Sequence, residues 1–489
     1  MCGIAGMVGE TDASLLGRML DLLEHRGPDD RGTFLDDGVA LGQTRLSIVD
    51  VSGGHQPIPN ESGTMCIAVN GEVYNHRALA ASLEGHTLRT RSDSEVPLHL
   101  YEDRGPEAAE ALDGMFALAL WDGRRLFLAR DRVGIKPLYY AEVGGTLYFA
   151  SEIKALLPIT AKIREFPPGH WYRSDRGFQA FAAWPTEQFS SGKEEAMAAI
   201  RERLEASVVK RLMADVPLGA FCSGGLDSTL VTMLAARHLP SFHTFSTGMA
   251  DAQDLEHAVR ASAALGTVHH IREYTEDEVL EALPRVVWHL ESFDAALLRS
   301  AIPTFFVSEL ARRHVKVVLT GEGADELYAG YSYLKAMKGQ ALHEELVRST
   351  RALHHLNLQR TDRMTMAHGL EGRVPFLDWS HIQHALSLPP EWKIGPDGTE
   401  KWILREAFRG LLPKDLLHRP KQKFSEGTGS ADVIRHEAER QIDDREFDHL
   451  RADAPVPLRT KEEAFAYRLF AERFPPEVAA LCLGRTSVY

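Results

Sequence analysis

A cysteine directly behind the initiator methionine is an unusual placement. With Met1 removed, Cys2 would carry a thiol and a free α-amine on one residue. An α-amine titrates near pH ~8, so its neutral form is available to take the proton of its own thiol. Gly3 would leave room for a substrate to approach the backbone. The plainer alternative is that Cys2 is a small buried hydrophobe at an arbitrary position. A second candidate is "SGGLDS" at 223–228, which lacks the lysine of a Walker A loop. Ser223, Gly224, Gly225 and Ser228 could aim N–H and hydroxyl groups at a pyrophosphate, aided by the N-terminus of a following helix. Asp227 would repel phosphate unless a cation intervenes, which assigns it to Mg²⁺. The plainer alternative is a tight Gly-Gly turn capped by Asp and Ser.

These residues need elements to hold them. The first ~180 residues are rich in short strand-like runs ("CGIAGMV", "MCIAVNGEVYN", "FALALWD", "LFLARD", "LYFAS") separated by Asp-Gly and Gly-Gly turn signals. They predict a β-rich layered domain with a few helices, around Ser14–Glu24 and Val96–Tyr101. The stretch 173–196 is polar, with Gly, Ser and Pro, and reads as a crossing between domains. The segment after it has apolar residues at Met197, Ile200, Leu204, Val208 and Leu212, spaced for one helix face. Beyond that, strand-like and helical patterns alternate, which implies a parallel sheet with helices on its faces. "SGGLDS" and "LTGEGADE" both follow strands, so both belong at the carboxyl edge, where such sheets bind ligands.

Composition removes several classes. The chain has 489 residues and a net charge of −14, which argues against nucleic acid as a partner. No apolar run approaches the ~18–20 residues that span a membrane, and no signal-peptide pattern opens the chain. The four cysteines, Cys2, Cys66, Cys222 and Cys482, are scattered without metal or disulfide spacing, which fits a reducing cytoplasm.

Seven segments of the first half appear in order after "MCGIAG": "EHRGPDD", "GQTRLSIVD", "NGEVYNH", "RSDSE", "LDGMFALALWD", "ARDRVGIKPLYY" and "ASEIKALL". Together they resemble the glutaminase domain of class II glutamine amidotransferases. The resemblance implies an αββα N-terminal-nucleophile sandwich over residues 2–180, with Cys2 as nucleophile. It places glutamine against Arg45, Leu46, Ser47, Ile48, Val49, Asn70, Gly71, Glu72 and Asp93. The residue types suit those positions. Arg45 offers a fork for a carboxylate, and Glu72 and Asp93 are acceptors for an ammonium. Asn70 and the Gly71 N–H can form an oxyanion hole. Asn-Gly is also a strong hairpin signal. His25, Arg26 and Asp29 read as loop scaffolding near the site.

In the second half, "SGGLDS" resembles the pyrophosphate loop of ATP pyrophosphatases. "LTGEGADELYAGY", "RTDRMTMAHGLEGRVPFLD", "RPKQKFSEG" and "TKEEAFAYRLFAERFP" resemble the synthetase domain of glutamine-dependent asparagine synthetases of the B type. The expected whole is a two-domain α/β and α+β chain, with a parallel-sheet ATP-pyrophosphatase domain over 195–489. The resemblance implies a cycle in which aspartate and ATP give β-aspartyl-AMP, and ammonia from glutamine crosses a tunnel and displaces AMP. It places ATP against Cys222, Ser223, Gly224, Gly225, Asp227, Ser228, Thr247, Thr320, Gly321 and Lys421. Mg²⁺ falls to Asp227 and Asp325, aspartate to Arg299, and formation or ammonolysis of the acyl adenylate to Glu322. Expected partners are small molecules and a second copy of the chain as a homodimer, with no nucleic acid and no membrane.

Three departures stand out. Better-known members carry a hydroxyl residue at the position of Ala296, Ser at Thr320 and Leu at Cys222. Ala296 leaves open an amidotransferase that acts on another carboxylate, such as a sugar acid or a natural-product intermediate. Intact Cys2, Asp227, Asp325 and Glu322 disfavour a non-catalytic nucleotide binder. The complete glutamine set disfavours the β-lactam synthetase branch.

Overall fold

The computed structural model describes residues 2–185, 189–420, 424–481 and 484–486. The N-terminal part is built from two six-stranded antiparallel sheets stacked face to face. Across the first, the strands are Arg164–Glu165, Tyr139–Val143, Thr146–Ala150, Cys2–Val8, Val39–Arg45 and Asp30–Asp36. The second runs Gly177–Ala180, His170–Arg173, Leu126–Arg130, Gly114–Trp121, Cys66–Val73 and Ile58–Pro59. Ile4 and Leu41 of one sheet meet Ala68, Ala117 and Leu128 of the other in a shared inner core. The outer faces are covered by the helix Ala13–Asp21 on the first sheet and the helix Val96–Arg104 on the second. The result is the αββα order. Sandwiching explains why Val39–Arg45 and Cys66–Val73 are buried at every position rather than at alternate ones.

The helix Lys193–Lys210 opens the C-terminal part. It buries Ile200, Leu204 and Val208 of the expected stripe, while Met197 stays half-buried and Leu212 lies past its end. Five parallel strands follow, in the spatial order Val268–Glu273, His243–Gly248, Leu218–Phe221, Val317–Leu319 and Glu371–Arg373. Counted along the chain this is 3-2-1-4-5. The direction of winding reverses between Leu218–Phe221 and Val317–Leu319, and a ligand crevice opens at such a reversal.

The two parts share cores. The helices Glu276–Leu290 and Ala295–Ala311 pack in one cluster with Leu16, Met19 and Leu20 of the helix on the first sheet. Tyr74, Met115 and Ile135 enter the cluster of the C-terminal sheet.

Candidate active site

At the N-terminal centre, Cys2 begins the first strand, directly opposite Arg45 in the antiparallel register. Its backbone N–H donates to Asn70 Oδ1 at 3.1 Å. Burial pushes the thiol's pKa up, against the pull of the Leu46 N–H and the Arg45 charge. The thiol therefore stays protonated until something removes its proton.

Asn70 and Gly71 lie inside the strand Cys66–Val73. They are not a hairpin turn, because the pairing with Gly114–Trp121 runs straight through them. Asn70 Nδ2 is buried without a hydrogen-bond partner, so its N–H groups are uncommitted while Oδ1 of the same amide is held by Cys2. Gly71 has φ +148, and a Cβ there would come within 2.0 Å of the Met115 carbonyl oxygen. The position admits only glycine.

Gly3 behaves differently from the expectation. A Cβ at Gly3 would strike Thr44 Oγ1 at 2.7 Å and Leu23 Cβ at 2.9 Å. Its smallness serves packing of the first strand against Thr44 and Leu23.

Arg45 donates from Nη2 to the carbonyls of Asp50 (2.7 Å) and Val49 (3.1 Å), and from Nη1 to Val51. Carbonyl groups orient the fork without neutralising it. The Leu46–Val49 segment follows, with the Ser47 N–H on Asp29 Oδ2 at 2.8 Å. Leu46 and Ile48 turn their side chains into a small core with Val317 and Met366, so their contribution to a ligand is backbone. Glu72 and Asp93 are both buried. Burial pushes both carboxyls up, and like charge from Glu371 adds to the effect on each. Two acids destabilised in this way suit an arriving ammonium.

At the second centre, Ser223 to Ser228 turn from the strand Leu218–Phe221 into the helix Leu226–Ala236. Gly224 has φ +69, and a Cβ there would overlap the His257 backbone at 2.4 Å. Ser223 Oγ accepts from the Gly225 N–H at 3.4 Å, and the Ser228 hydroxyl lies 3.3 Å from that of Ser223. The 320–323 loop sits against this turn; a Cβ on Gly321 would come within 2.8 Å of Asp227 Cβ. Thr320 donates its N–H to the Arg373 carbonyl at 2.9 Å, and its Oγ1 accepts from the Glu322 N–H at 3.4 Å. The two Gly-rich loops thus face each other across the winding reversal.

Other assigned residues are placed less simply. Cys222 donates its N–H to Phe245 and packs its thiol against Ala261 and Leu416, so only its carbonyl remains for a ligand. The Thr247 hydroxyl is spent on the Arg272 carbonyl at 2.6 Å. Nε of Arg299 donates to Glu462 Oε1 at 2.7 Å, and its Nη2 pairs with the same carboxylate. Glu322 pairs with Arg360. Lys421 lies outside the described residues. Asp227 and Asp325 do converge. One ammonium, Lys401 Nζ, lies 2.5 Å from Asp227 Oδ2 and 2.6 Å from Asp325 Oδ1. Asp227 Oδ1 is buried with no hydrogen-bond partner.

Several residues in these centres make contacts that the sequence reading did not assign to them. The Lys401 ammonium is one, on the residue that precedes the helix Trp402–Ala407. Arg419 is another: it holds the pyrophosphate turn through the Ser223 carbonyl at 2.9 Å and pairs with Asp254. The third group joins the centres. Arg26, fully buried, donates from Nε to the Cys2 carbonyl at 3.0 Å. Its Nη1 reaches Glu152 at 2.6 Å and Asp362 at 2.8 Å. Asp362 and Arg360 belong to the same helix, Asn357–Met366. A parallel link runs through Arg373, whose Nη2 lies 3.5 Å from Glu72 Oε2 while its carbonyl holds Thr320.

Comparison with known proteins gives a family match in each half of the chain. Residues 1–169 match the glutamine amidotransferase domain family. Residues 199–341 and 334–485 match the asparagine synthase family. The glutamine-hydrolyzing asparagine synthetase 2 of Arabidopsis thaliana is 40% identical, across 98% of this chain and 88% of its own. The glutamine-hydrolyzing asparagine synthetase B of Escherichia coli K12 is 38% identical, across 99% of this chain and 93% of its own. Among solved structures, a glutamine phosphoribosylpyrophosphate amidotransferase from B. subtilis covers 55% of this chain and 65% of its own at 19% identity. Its TM-score is 0.33, too slight a likeness to carry an argument.

Proposed function

Because the chain belongs to the glutamine-hydrolysing asparagine synthetases, we propose that its two centres divide one synthesis between them. The overall reaction converts aspartate, glutamine and ATP to asparagine, glutamate, AMP and pyrophosphate. We divide the chain at the crossing, with the glutaminase over 2–180 and the synthetase over 195–489.

In the glutaminase, Sγ of Cys2 attacks the side-chain amide carbon of glutamine. The α-amine of Cys2, free once Met1 is removed, takes the thiol proton and passes it to the departing ammonia. Asn70 Nδ2 and the Gly71 N–H hold the oxyanion of the tetrahedral intermediate. Arg45 takes the α-carboxylate; Glu72 and Asp93 take the α-ammonium. Water then releases glutamate from the thioester.

In the synthetase, a β-carboxylate oxygen of aspartate attacks the α-phosphorus of ATP and pyrophosphate leaves. Ammonia then adds to the acyl carbon, and AMP leaves with the former carboxylate oxygen. The 223–228 turn cradles the pyrophosphate, while Thr320 and Gly321 border the nucleotide. Arg299 orients the acceptor and Lys421 neutralises phosphate charge. Glu322, steered by Arg360, assists the acyl-transfer step. Asp227 and Asp325 would hold Mg²⁺. They are hard oxygen donors that already converge on a single cationic group, and Asp227 has a spare buried oxygen. When bound, the ion supplies positive charge that balances the triphosphate. No described helix is long and apolar enough to cross a membrane.

The observation that carries this reading is the uncommitted Asn70 Nδ2 beside a buried Cys2, in one chain with two Gly-rich loops facing across a winding reversal. The test is Cys2→Ala. It should lose synthesis from glutamine and keep synthesis from ammonium salts. A folded variant that lost both would refute the division. Intact mass of active protein should show the chain without Met1.

A further inference from the structure

On the outer edge of the glutaminase, two histidines and two glutamates bring one donor atom each into a single cluster. Glu61 sits in the turn after the Ile58–Pro59 strand, His86 in the loop that precedes the helix Val96–Arg104, and His99 and Glu102 one turn apart on that helix. The four donor atoms all lie within 4.8 Å of one another. His86 Nδ1 is 3.3 Å from Glu61 Oε1 and 3.7 Å from Glu102 Oε2. His99 Nδ1 is 2.8 Å from Glu102 Oε2 and 3.7 Å from Glu61 Oε2. A tetrahedral ion with ligands at ~2.1 Å keeps its donors roughly 3.4 Å apart. The cluster already has about that spacing.

The outer contacts select which nitrogen faces inward. His86 Nε2 is 3.2 Å from Asp103 Oδ1, and His99 Nε2 is 3.4 Å from Glu95 Oε1. Each of the two rings therefore meets a carboxylate at both of its nitrogens. With Nε2 of each ring held from outside, Nδ1 is the nitrogen turned toward Glu61 and Glu102. A metal-ligating histidine typically has such an outer carboxylate. The glutamates are held from outside as well. Asn60 Nδ2 donates to Glu102 Oε1 at 2.7 Å, which leaves Oε2 for the centre. The Thr87 N–H donates to Glu61 Oε1 at 2.8 Å.

We propose that Glu61, His86, His99 and Glu102 form a structural Zn²⁺ site. Two imidazoles and two carboxylates are a closed set for this borderline ion, with no open position for chemistry. The ion would tie the Glu61 turn and the His86 loop to the helix that follows Asp93. Glu95, which supports His99, also accepts the N–H groups of Arg89 and Thr90 at 2.7 Å each, so the brace extends through the 84–95 segment. His99 is wholly buried, whereas Glu61 and His86 lie toward the solvent side and give the ion an entrance.

The test uses full-length protein stripped with EDTA, titrated with ZnCl₂ against a chromophoric chelator and followed by thermal melting. The expected result is one Zn²⁺ per chain and a higher melting temperature with the ion bound. His86→Ala and Glu61→Gln, both on the solvent side, should each weaken binding by more than the ~10–100-fold that loss of an outer-sphere partner causes. His354→Ala, in the separate Glu165–His354–His355 cluster, should leave it unchanged. Failure of the stripped wild-type protein to take up Zn²⁺ would overturn the proposal. So would unchanged affinity in both His86→Ala and Glu61→Gln, or loss of the ion in His354→Ala alone.

Discussion

Asn70 is engaged on one side only. Its Oδ1 is fixed by the Cys2 N–H, while its Nδ2 has no partner. Asn70→Ala should therefore cost glutamine hydrolysis about 10²–10³-fold in kcat, the usual loss for one oxyanion donor. Synthesis from ammonia should persist; initial rates with the two nitrogen sources separate the effects. Lys401 is the second residue of interest. Its ammonium lies between two carboxylates that would otherwise repel each other. Lys401→Met should lower the melting temperature without Mg²⁺, and added Mg²⁺ should raise it more than in the wild type. Scanning calorimetry with and without the ion reads both. Lys393 gives a pH dependence. It is fully buried, its Nζ has no hydrogen-bond partner, and burial pushes its pKa down to about 7. In the unfolded chain it titrates near ~10.4. Between those values the unfolded state binds more protons, so this group makes stability rise with pH from about 7 to 10. Its full cost is present below pH 7. Lys393→Met should raise stability most at pH 6, by up to ~5 kcal/mol at ~1.4 kcal/mol per pH unit. The gain should vanish near pH 10, as read by denaturant titration across the range.

The helix Asn357–Met366 carries groups for both centres: Asp362 reaches Arg26 behind Cys2, and Arg360 reaches Glu322. Asp362→Ala leaves buried Arg26 with Glu152 as its remaining carboxylate partner. Breaking one side of a buried ion pair costs roughly 3–5 kcal/mol, and a urea melt should show it. The same variant should release more glutamate per asparagine formed, because the strand end that holds Cys2 loses a tie to the synthetase. A glutamate-to-asparagine ratio unchanged from the wild type would limit Asp362 to a stabilising role. This helix also shows where sequence reading ends. The strands of the first half were legible because short apolar runs between turn signals have few alternatives. The parallel sheet was legible from alternation, and the two loops from glycine and hydroxyl spacing. Asn70-Gly71 was legible as a functional pair but ambiguous as structure. Its hairpin signal gave way because a strand sandwiched on both faces leaves no freedom to turn. Arg26 and Asp362 are 336 positions apart, and no local pattern links a loop arginine to one particular helix aspartate. Nor does the stretch around Lys401 advertise that its ammonium reaches back to Asp227.

At the scale of the whole molecule, the sequence boundary near 181–194 does not divide the buried charges. Glu152 and Lys154 belong to the first part and Glu291 and Arg363 to the second. Arg363 Nη2 lies 3.0 Å from Glu291, and its Nη1 lies 3.3 Å from Glu152; Lys154 Nζ lies 3.2 Å from Glu291. All four are essentially without solvent contact. Burial opposes charge on Glu152, yet Lys154, His25, Arg363 and Arg26 hold its pKa well below the usual carboxylate range. Residues 2–185 expressed alone would expose Arg26 and Lys154 without Asp362 and Glu291, alongside the apolar patch that meets the 276–311 helices. That fragment should aggregate or melt well below the full chain, which light scattering and calorimetry would record. Arg26 thus behaves like one half of a lock and key within a single gene. A chimera that joins this glutaminase to the synthetase of a distant relative would inherit an arginine cut for one aspartate. Unless the donor brings an acid to that helix position, the hybrid starts with a stranded charge at its seam. Recombination between such genes would succeed in pairs of matched charges rather than in pairs of domains.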